Sequence, residues 1–313
     1  MPLLCSFYLI QTATADSVIA EVKVGVDPVG IVYHSVNKDM YVANQGPPVG
    51  PGSSIGSVSV IDGSTNEIID NPIRVGSYPT ALAYNSNNNN IYVANSASDS
   101  ADGNSVSVID GTTNMVVDTI PVGMGPVGIA YDSINGNLYV TNINSDSVSV
   151  IDGSTNEVVG TIPIGSRPYG IAVHGSNGYI YVCNYEDNSV SVIDGSTNEV
   201  VGTAIPVGVA PVGIAYNPFN NNVYVTNDQS NSVSVIDGST NEVVGTIPVG
   251  VAPQGIAFNS ANNKMYVTSG TGSISVIDSL TNNVVETVSV SYGLVRIAYN
   301  AENNNMYAVN AVT

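Results

Sequence analysis

Two of the three arginines in this chain occupy the same kind of place. Arg167 and Arg296 both fall in the link that precedes an apolar strand, a link written Val-Gly-x-x-Pro-x-Gly in its clearest copies. The other departures from that link are Asp27, Tyr78, Tyr169 and Gln254. A guanidinium fork holds a carboxylate through two parallel hydrogen bonds, and tyrosine rings add stacking area. Together these six residues outline a binding pocket for an anionic or sugar-like ligand. The competing reading is that they fill a pore or seal a junction. Elsewhere the chemistry is thinner. His34 and His174 sit in matching slots after a first strand, in the first and fourth copies of a repeat. In a ring of copies they stand far apart, so they share neither a metal nor a triad. The loop from Ser96 to Asn104 carries Asp99, Asp102 and Asn104. Clustered oxygens suit calcium, but the full spacing of a calcium loop is missing. Six aspartates, Asp62, Asp110, Asp152, Asp194, Asp237 and Asp278, each precede a turn of small polar residues. There an Asp side chain bonds nearby backbone amides, so this acidic array reads as turn chemistry.

The elements that carry these residues come from one phrase. Tyr41-Val42-Ala43-Asn44 returns as Tyr92, Tyr139, Tyr181, Tyr224, Tyr266 and Tyr307 with their followers, at spacings of 51, 47, 42, 43, 42 and 41 residues. A period near 42 marks a repeat architecture. Residues 168 to 208 give a clean unit. Pro168–Val173 is a first strand, Asn177-Gly178 a two-residue hairpin signal, and Tyr179–Asn184 a second strand. Ser189–Asp194 is a third strand, and Glu199 to Val207 a fourth. Runs such as Gly-Ile-Ala-Tyr and Val-Ser-Val-Ile are apolar or small on both faces. A sheet with one wet face alternates more strictly. Four-stranded antiparallel sheets stacked around an axis bury both faces, and that arrangement is a β-propeller.

Composition agrees and excludes some partners. The chain has 313 residues, 43% hydrophobic and 10% charged, with a formal net charge of -19. Such a surface repels phosphate backbones and anionic headgroups, which argues against nucleic acid and membrane-surface partners. No run approaches the ~18 apolar residues of a membrane helix. Cys5 and Cys183 form no metal-ligand spacing. Cys183 takes the Thr/Ala slot of its repeat and reads as a small core residue.

The repeat phrase, with Pro-Val-Gly-Ile-Ala-Tyr before it and Val-Ser-Val-Ile-Asp-Gly-Ser-Thr-Asn after it, resembles the YVTN-family β-propellers across residues 17 to 313. The resemblance implies a seven-bladed propeller, of a kind found in surface-layer and envelope proteins and presumed to bind or to build. It carries no catalytic motif to transfer. The expected fold is therefore all-β: a seven-bladed β-propeller of four-stranded antiparallel blades, one domain over residues 1–313. Its closing blade is shared, with outer strands in residues 1–25 and inner strands in 293–313. Val18 to Gly25 matches Val158 to Gly165 position for position, and Phe7–Ile10 fits a third strand. A second reading of the N-terminus stays open. Leu3 to Ile10 is apolar, and Ala13-Thr14-Ala15 looks like a signal-peptidase site, although no basic residue precedes the run.

The expected function is a non-catalytic surface or extracellular propeller that binds a protein or glycan through its loop face and channel mouth, with lateral assembly as a further role. The runner-up is a channel-mouth hydrolase or lactonase acting on a carboxylate-bearing substrate. A lactonase-like calcium site wants several converging acids, and the first strands with their links supply only Asp27. The long loop from Gln45 to Gly56, stiffened by Pro47, Pro48 and Pro51, is expected to offer an exposed contact surface.

Overall fold

Val, Ile, Tyr and Thr fill the strand positions, and these residues suit a pleated, packed surface. The computed structural model describes residues 6–11, 17–50, 53–97 and 103–311. They form an all-β propeller. Six antiparallel sheets have four strands, one sheet has five, and a small two-stranded hairpin stands apart. The sheet that begins with Pro126–Tyr131 shows the pattern, continuing through Asn137–Asn142, Ser147–Asp152 and Glu157–Pro163. One sheet draws on both ends of the chain. Its order is Ser17–Lys23, Ser6–Gln11, Asn305–Asn310, Leu294–Asn300. Phe7 pairs with Val309 and Leu9 with Tyr307.

The five-stranded sheet departs from expectation. Its fourth strand is not continuous from Glu199 to Val207 but split into Glu199–Val200 and Ile205–Pro206. Ala204 is an extra residue relative to Gly160-Thr161-Ile162 of the preceding sheet, and Gly202 turns to a φ of 65° beside it. The surplus residue bulges the strand away from its ladder. The Asn177-Gly178 turn also differs. Only Gly178 takes a positive φ, and its amide donates to the His174 carbonyl at 3.0 Å. Asn177 instead accepts from the Tyr179 amide. The Gln45–Gly56 loop is more built than expected. It contains the hairpin Pro48–Gly50 with Ser53–Ser54, and buried Ser54 accepts the Tyr78 amide at 3.0 Å.

Burial peaks in the middle of each sheet, and first strands such as Pro168–Val173 are mostly half-buried. Second and third strands are buried on both faces, whereas a fourth strand such as Glu157–Pro163 buries only its Ile162. First strands pack on one another in succession, and Leu294–Asn300 touches both Pro253–Asn259 and Pro28–Tyr33. The core is consequently divided into wedges between neighbouring sheets. One wedge joins Tyr139 and Val148 to Ile180 and Val182, and another joins Tyr307 and Val309 to Met40 and Ile61.

The repeated Tyr and Asn have separate jobs. In the first five copies the Asn reaches two serines of its own third strand, as Asn184 does to Ser189 at 3.0 Å and Ser191 at 2.8 Å, whereas Asn310 donates to Ser291 at 2.9 Å. The hydroxyls of Tyr41, Tyr92, Tyr139, Tyr181, Tyr224 and Tyr307 reach the next sheet. Tyr139 donates to Asn198 at 2.8 Å, Tyr224 to Asn282 at 2.7 Å, and Tyr307 to Asn66 at 2.7 Å. The accepting Asn sits in a turn with positive φ, a conformation Asn tolerates well.

Candidate functional site at the channel mouth

The links into the first strands place the site. The second x of Val-Gly-x-x-Pro takes a positive φ: 50° at Asp27, 51° at Tyr78 and 52° at Arg167. Its carbonyl then accepts the amide of the residue that follows the repeated Asn. Thus Tyr185 docks on Arg167 at 3.1 Å, Asp228 on Ala210 at 2.9 Å and Gln45 on Asp27 at 2.9 Å. This backbone bond brings Tyr185 and Asp228 to the mouth. The residue after the Pro faces the mouth as well, and two of these are tied across a junction. Thr141 Oγ1 donates to the Tyr169 carbonyl, and Thr226 Oγ1 to the Gln254 carbonyl, each at 2.7 Å.

The side chains converge in one sector. Arg167, Tyr169, Tyr185, Asp228 and Gln254 line a cavity of about 300 Å³ with Ile143 and Val212. Tyr169 and Tyr185 stand 6.3 Å apart, tilted by 37°. The Arg167 guanidinium lies 6.0 Å from the Tyr185 ring and 3.4 Å from Glu186. Both members of that ion pair are about half exposed, so it contributes at most about 1 kcal/mol and leaves Arg167 free to exchange partners. Gln254 Nε2 donates to Asp228 Oδ1 at 2.6 Å. Desolvation raises the Asp228 pKa above the ordinary carboxylate value, and the Gln254 bond opposes that shift.

Arg296 stands opposite. It belongs to the terminal sheet, yet its guanidinium lies 5.6 Å from the Tyr169 ring, in a sheet across the channel. The side chain therefore bridges the mouth. Stacking of this kind contributes about 1 kcal/mol. Above it a cavity of about 100 Å³ includes Gln45, Thr80, Tyr169 and Gln254, and below it a channel chamber of about 140 Å³ opens.

Of the six residues singled out in the links, Arg167, Tyr169, Gln254 and Arg296 come together. Asp27 and Tyr78 sit in equivalent turns but line none of these three cavities. Tyr185 and Asp228 were missed. The signal for them was their position directly after the repeated Asn, on loops that open toward the same face. Asp99 and Asp102 lie outside the described residues, and Asn104 spends its Oδ1 on the Gly125 amide at 2.8 Å. Among the described residues no group of three or more His, Cys, Asp or Glu is arranged to hold a metal. Both histidines are buried against tyrosines, His34 at 4.2 Å from Tyr84 and His174 at 4.1 Å from Tyr216. Burial lowers both imidazole pKa values. The turn aspartates accept amides as expected, Asp152 from Ser154 at 2.8 Å. Cys183 is buried and free.

No protein-family model matches the chain, and no curated protein matches it. Solved structures do. Hydrazine synthase of Kuenenia stuttgartiensis is 18% identical with a TM-score of 0.76, over 91% of this chain and 93% of that one. Virginiamycin B lyase of Staphylococcus aureus is 16% identical with a TM-score of 0.72, over 91% and 95%. U3-55K is 9% identical with a TM-score of 0.75, over 97% and 98%. At such identities the likeness concerns the backbone and not the chemistry: this chain shares the β-propeller fold with these proteins.

Proposed function

We propose that the chain is a non-catalytic binding propeller, resident at the cell surface or outside the cell, which takes a protein or glycan through its channel-mouth face. The observation that carries this reading is convergence. Arg167, Tyr169 and Tyr185 come from one sheet, Asp228 from the next and Gln254 from the one after, and each belongs to a position that varies between copies of the repeat. Two tilted rings, a guanidinium, an amide and a carboxylate suit a sugar ring that bears a carboxylate. Exposed Val26, Met124, Val209, Val251 and Tyr292 surround the mouth in the same links and offer apolar contact to a larger partner. Exposed valine pairs on the outer strands, such as Val158–Val159 and Val243–Val244, favour lateral assembly as an added role.

The ring itself we read as seven-bladed and YVTN-like, with the five-stranded sheet as a blade whose outer strand is broken. The sheet built from both chain ends is the proposed closing blade. The succession of first-strand contacts supports that reading. Calcium in the Ser96–Asn104 loop is a weaker part, because Asn104 is already engaged. Among the described residues no helix is long and apolar enough to cross a membrane.

The test is calorimetric titration with oligosaccharides that contain or lack uronic acid. Wild type should bind the acidic set, and Arg167→Ala with Tyr185→Ala should weaken binding at least tenfold. Equal binding by the double variant would end the mouth reading. The hydrolase or lactonase alternative draws on one observation, a carboxyl with a raised pKa inside a cavity. Turnover of a lactone and ester panel, lost in Asp228→Asn, would replace the binding proposal with that one.

A further inference from the structure

Below the mouth, the channel wall is built from equivalent positions of the first strands. One rung consists of Gly30, Ala81, Gly128, Gly170, Gly213 and Gly255, with Arg296 as its remaining member. The glycines are required by close approach of the next strand: a Cβ at Gly170 would stand 2.2 Å from the Val212 carbonyl, and one at Gly213 2.1 Å from that of Gln254. The rung beneath is Ile31, Leu82, Ile129, Ile171, Ile214, Ile256 and Ile297. Of the side chains around this chamber, Arg296 alone is charged.

Arg296 is half-buried, and its guanidinium donates to the Val295 carbonyl at 3.2 Å. It has no carboxylate partner among the described residues, where the ion pairs are Lys38–Glu302 and Arg167–Glu186. A charge withdrawn from water without a counter-charge favours an anion that can reach it. The isoleucine rung supplies apolar contact, beside main-chain polar groups that the glycine rung leaves bare. A cavity of about 150 Å³ lined by Leu, Ile and Phe takes benzene, and this chamber measures about 140 Å³. The net charge of -19 disfavours polyanions more strongly than a single negative charge.

We propose that the chamber takes a small monocarboxylate end-on. Its carboxylate meets the Arg296 guanidinium, and a compact apolar body, aromatic or a chain of about six carbons, sits among the isoleucines. Arg296 also closes the path, so the ligand enters by displacing the guanidinium from its stack on Tyr169. The proposal deepens the binding reading by naming the group taken inside the channel, and it stands apart from recognition of sugars above.

The experiment is titration of the full chain with benzoate and hexanoate, with benzamide and inorganic phosphate as comparisons. Benzoate and hexanoate should bind at one site, at least tenfold more tightly than benzamide or phosphate. Arg296→Gln should weaken benzoate at least tenfold. Ala81→Met, which keeps the guanidinium and fills the chamber, should do the same. This second variant keeps the idea open to failure if Arg296→Gln does not fold. Benzamide binding as well as benzoate would overturn the role of the charge. Phosphate binding as well as benzoate would overturn the apolar body. No benzoate binding by wild type, or unchanged binding in Ala81→Met, would overturn the site. If uronate oligosaccharides still bind while benzoate does not, the chamber proposal fails and the mouth reading survives.

Discussion

A carboxylate whose amide bonds outweigh its burial and a carboxylate whose burial outweighs them respond to acid in opposite ways, and this molecule contains both. Asp62 accepts from the Ser64 hydroxyl and from the Ser64 and Thr65 amides, which pull its pKa down to about 2. Asp110, Asp152, Asp194 and Asp278 are lowered by equivalent bonds. A lowered pKa means the unfolded chain binds protons first, so these groups withdraw stability as pH falls from about 4 toward 2. Asp39 is the reverse case. Desolvation, then the charge of Asp62, raises it to about 6. The folded chain holds that proton longer, so stability from this group declines as pH rises from about 4 to 6. Asp39→Asn should stabilise the protein at pH 7 by about 1 kcal/mol, a discounted figure because the group is partly exposed. Thermal melts at pH 4 and pH 7 check this, and a variant no more stable at pH 7 would contradict it. The buried histidines add a third window. With lowered pKa values they are neutral in the fold, and stability is lost as pH falls below about 6.5. Sequence showed the turn aspartates through their repetition. It did not show Asp39 as unusual, because desolvation depends on what packs over a residue.

At the scale of the element, the repeated tyrosine acts as a latch to the next sheet in six copies. Tyr139→Phe keeps the ring in its wedge and removes the bond to Asn198, leaving a half-buried acceptor with fewer partners. A loss of about 1–2 kcal/mol is expected from urea unfolding. No measurable loss would show that the hydroxyl bond is matched by water. The broken outer strand offers the opposite experiment. Deleting Ala204 should let residues 199 to 206 run as one strand, slow amide exchange through that stretch, and leave the melting temperature equal or higher. Faster exchange would show the break to be a requirement of the sheet. Strand identity was legible because apolar and β-branched runs recur at a fixed period. The break was less so, since a single inserted residue inside an otherwise good strand leaves the pattern almost intact. The mouth was legible in half. Arg167, Tyr169, Gln254 and Arg296 stood out as exceptions to a regular link. Tyr185 and Asp228 reach the mouth through backbone bonds to residues 18 positions earlier, and that docking is a property of the folded turn.

For the whole molecule, the wedge-like cores matter most. Each wedge takes residues from two sheets, so no sheet can leave without exposing two of them. Unfolding should therefore be one cooperative transition rather than a peeling of repeats. Met40→Ala empties part of the wedge between the first sheet and the terminal one, and should cost about 2–4 kcal/mol. Calorimetry should show one lowered peak. A separate early peak would mean that the terminal sheet comes away alone. The crossing of the channel by Arg296 belongs to this scale too, and no reading of the chain in one dimension reveals it. A bore lined by near-identical strands has no preferred compass bearing, and a guest could rotate freely about the axis. One guanidinium reaching from a single side abolishes that freedom. Whatever charge it grips is held at one azimuth, so its far end faces the same wall in every molecule.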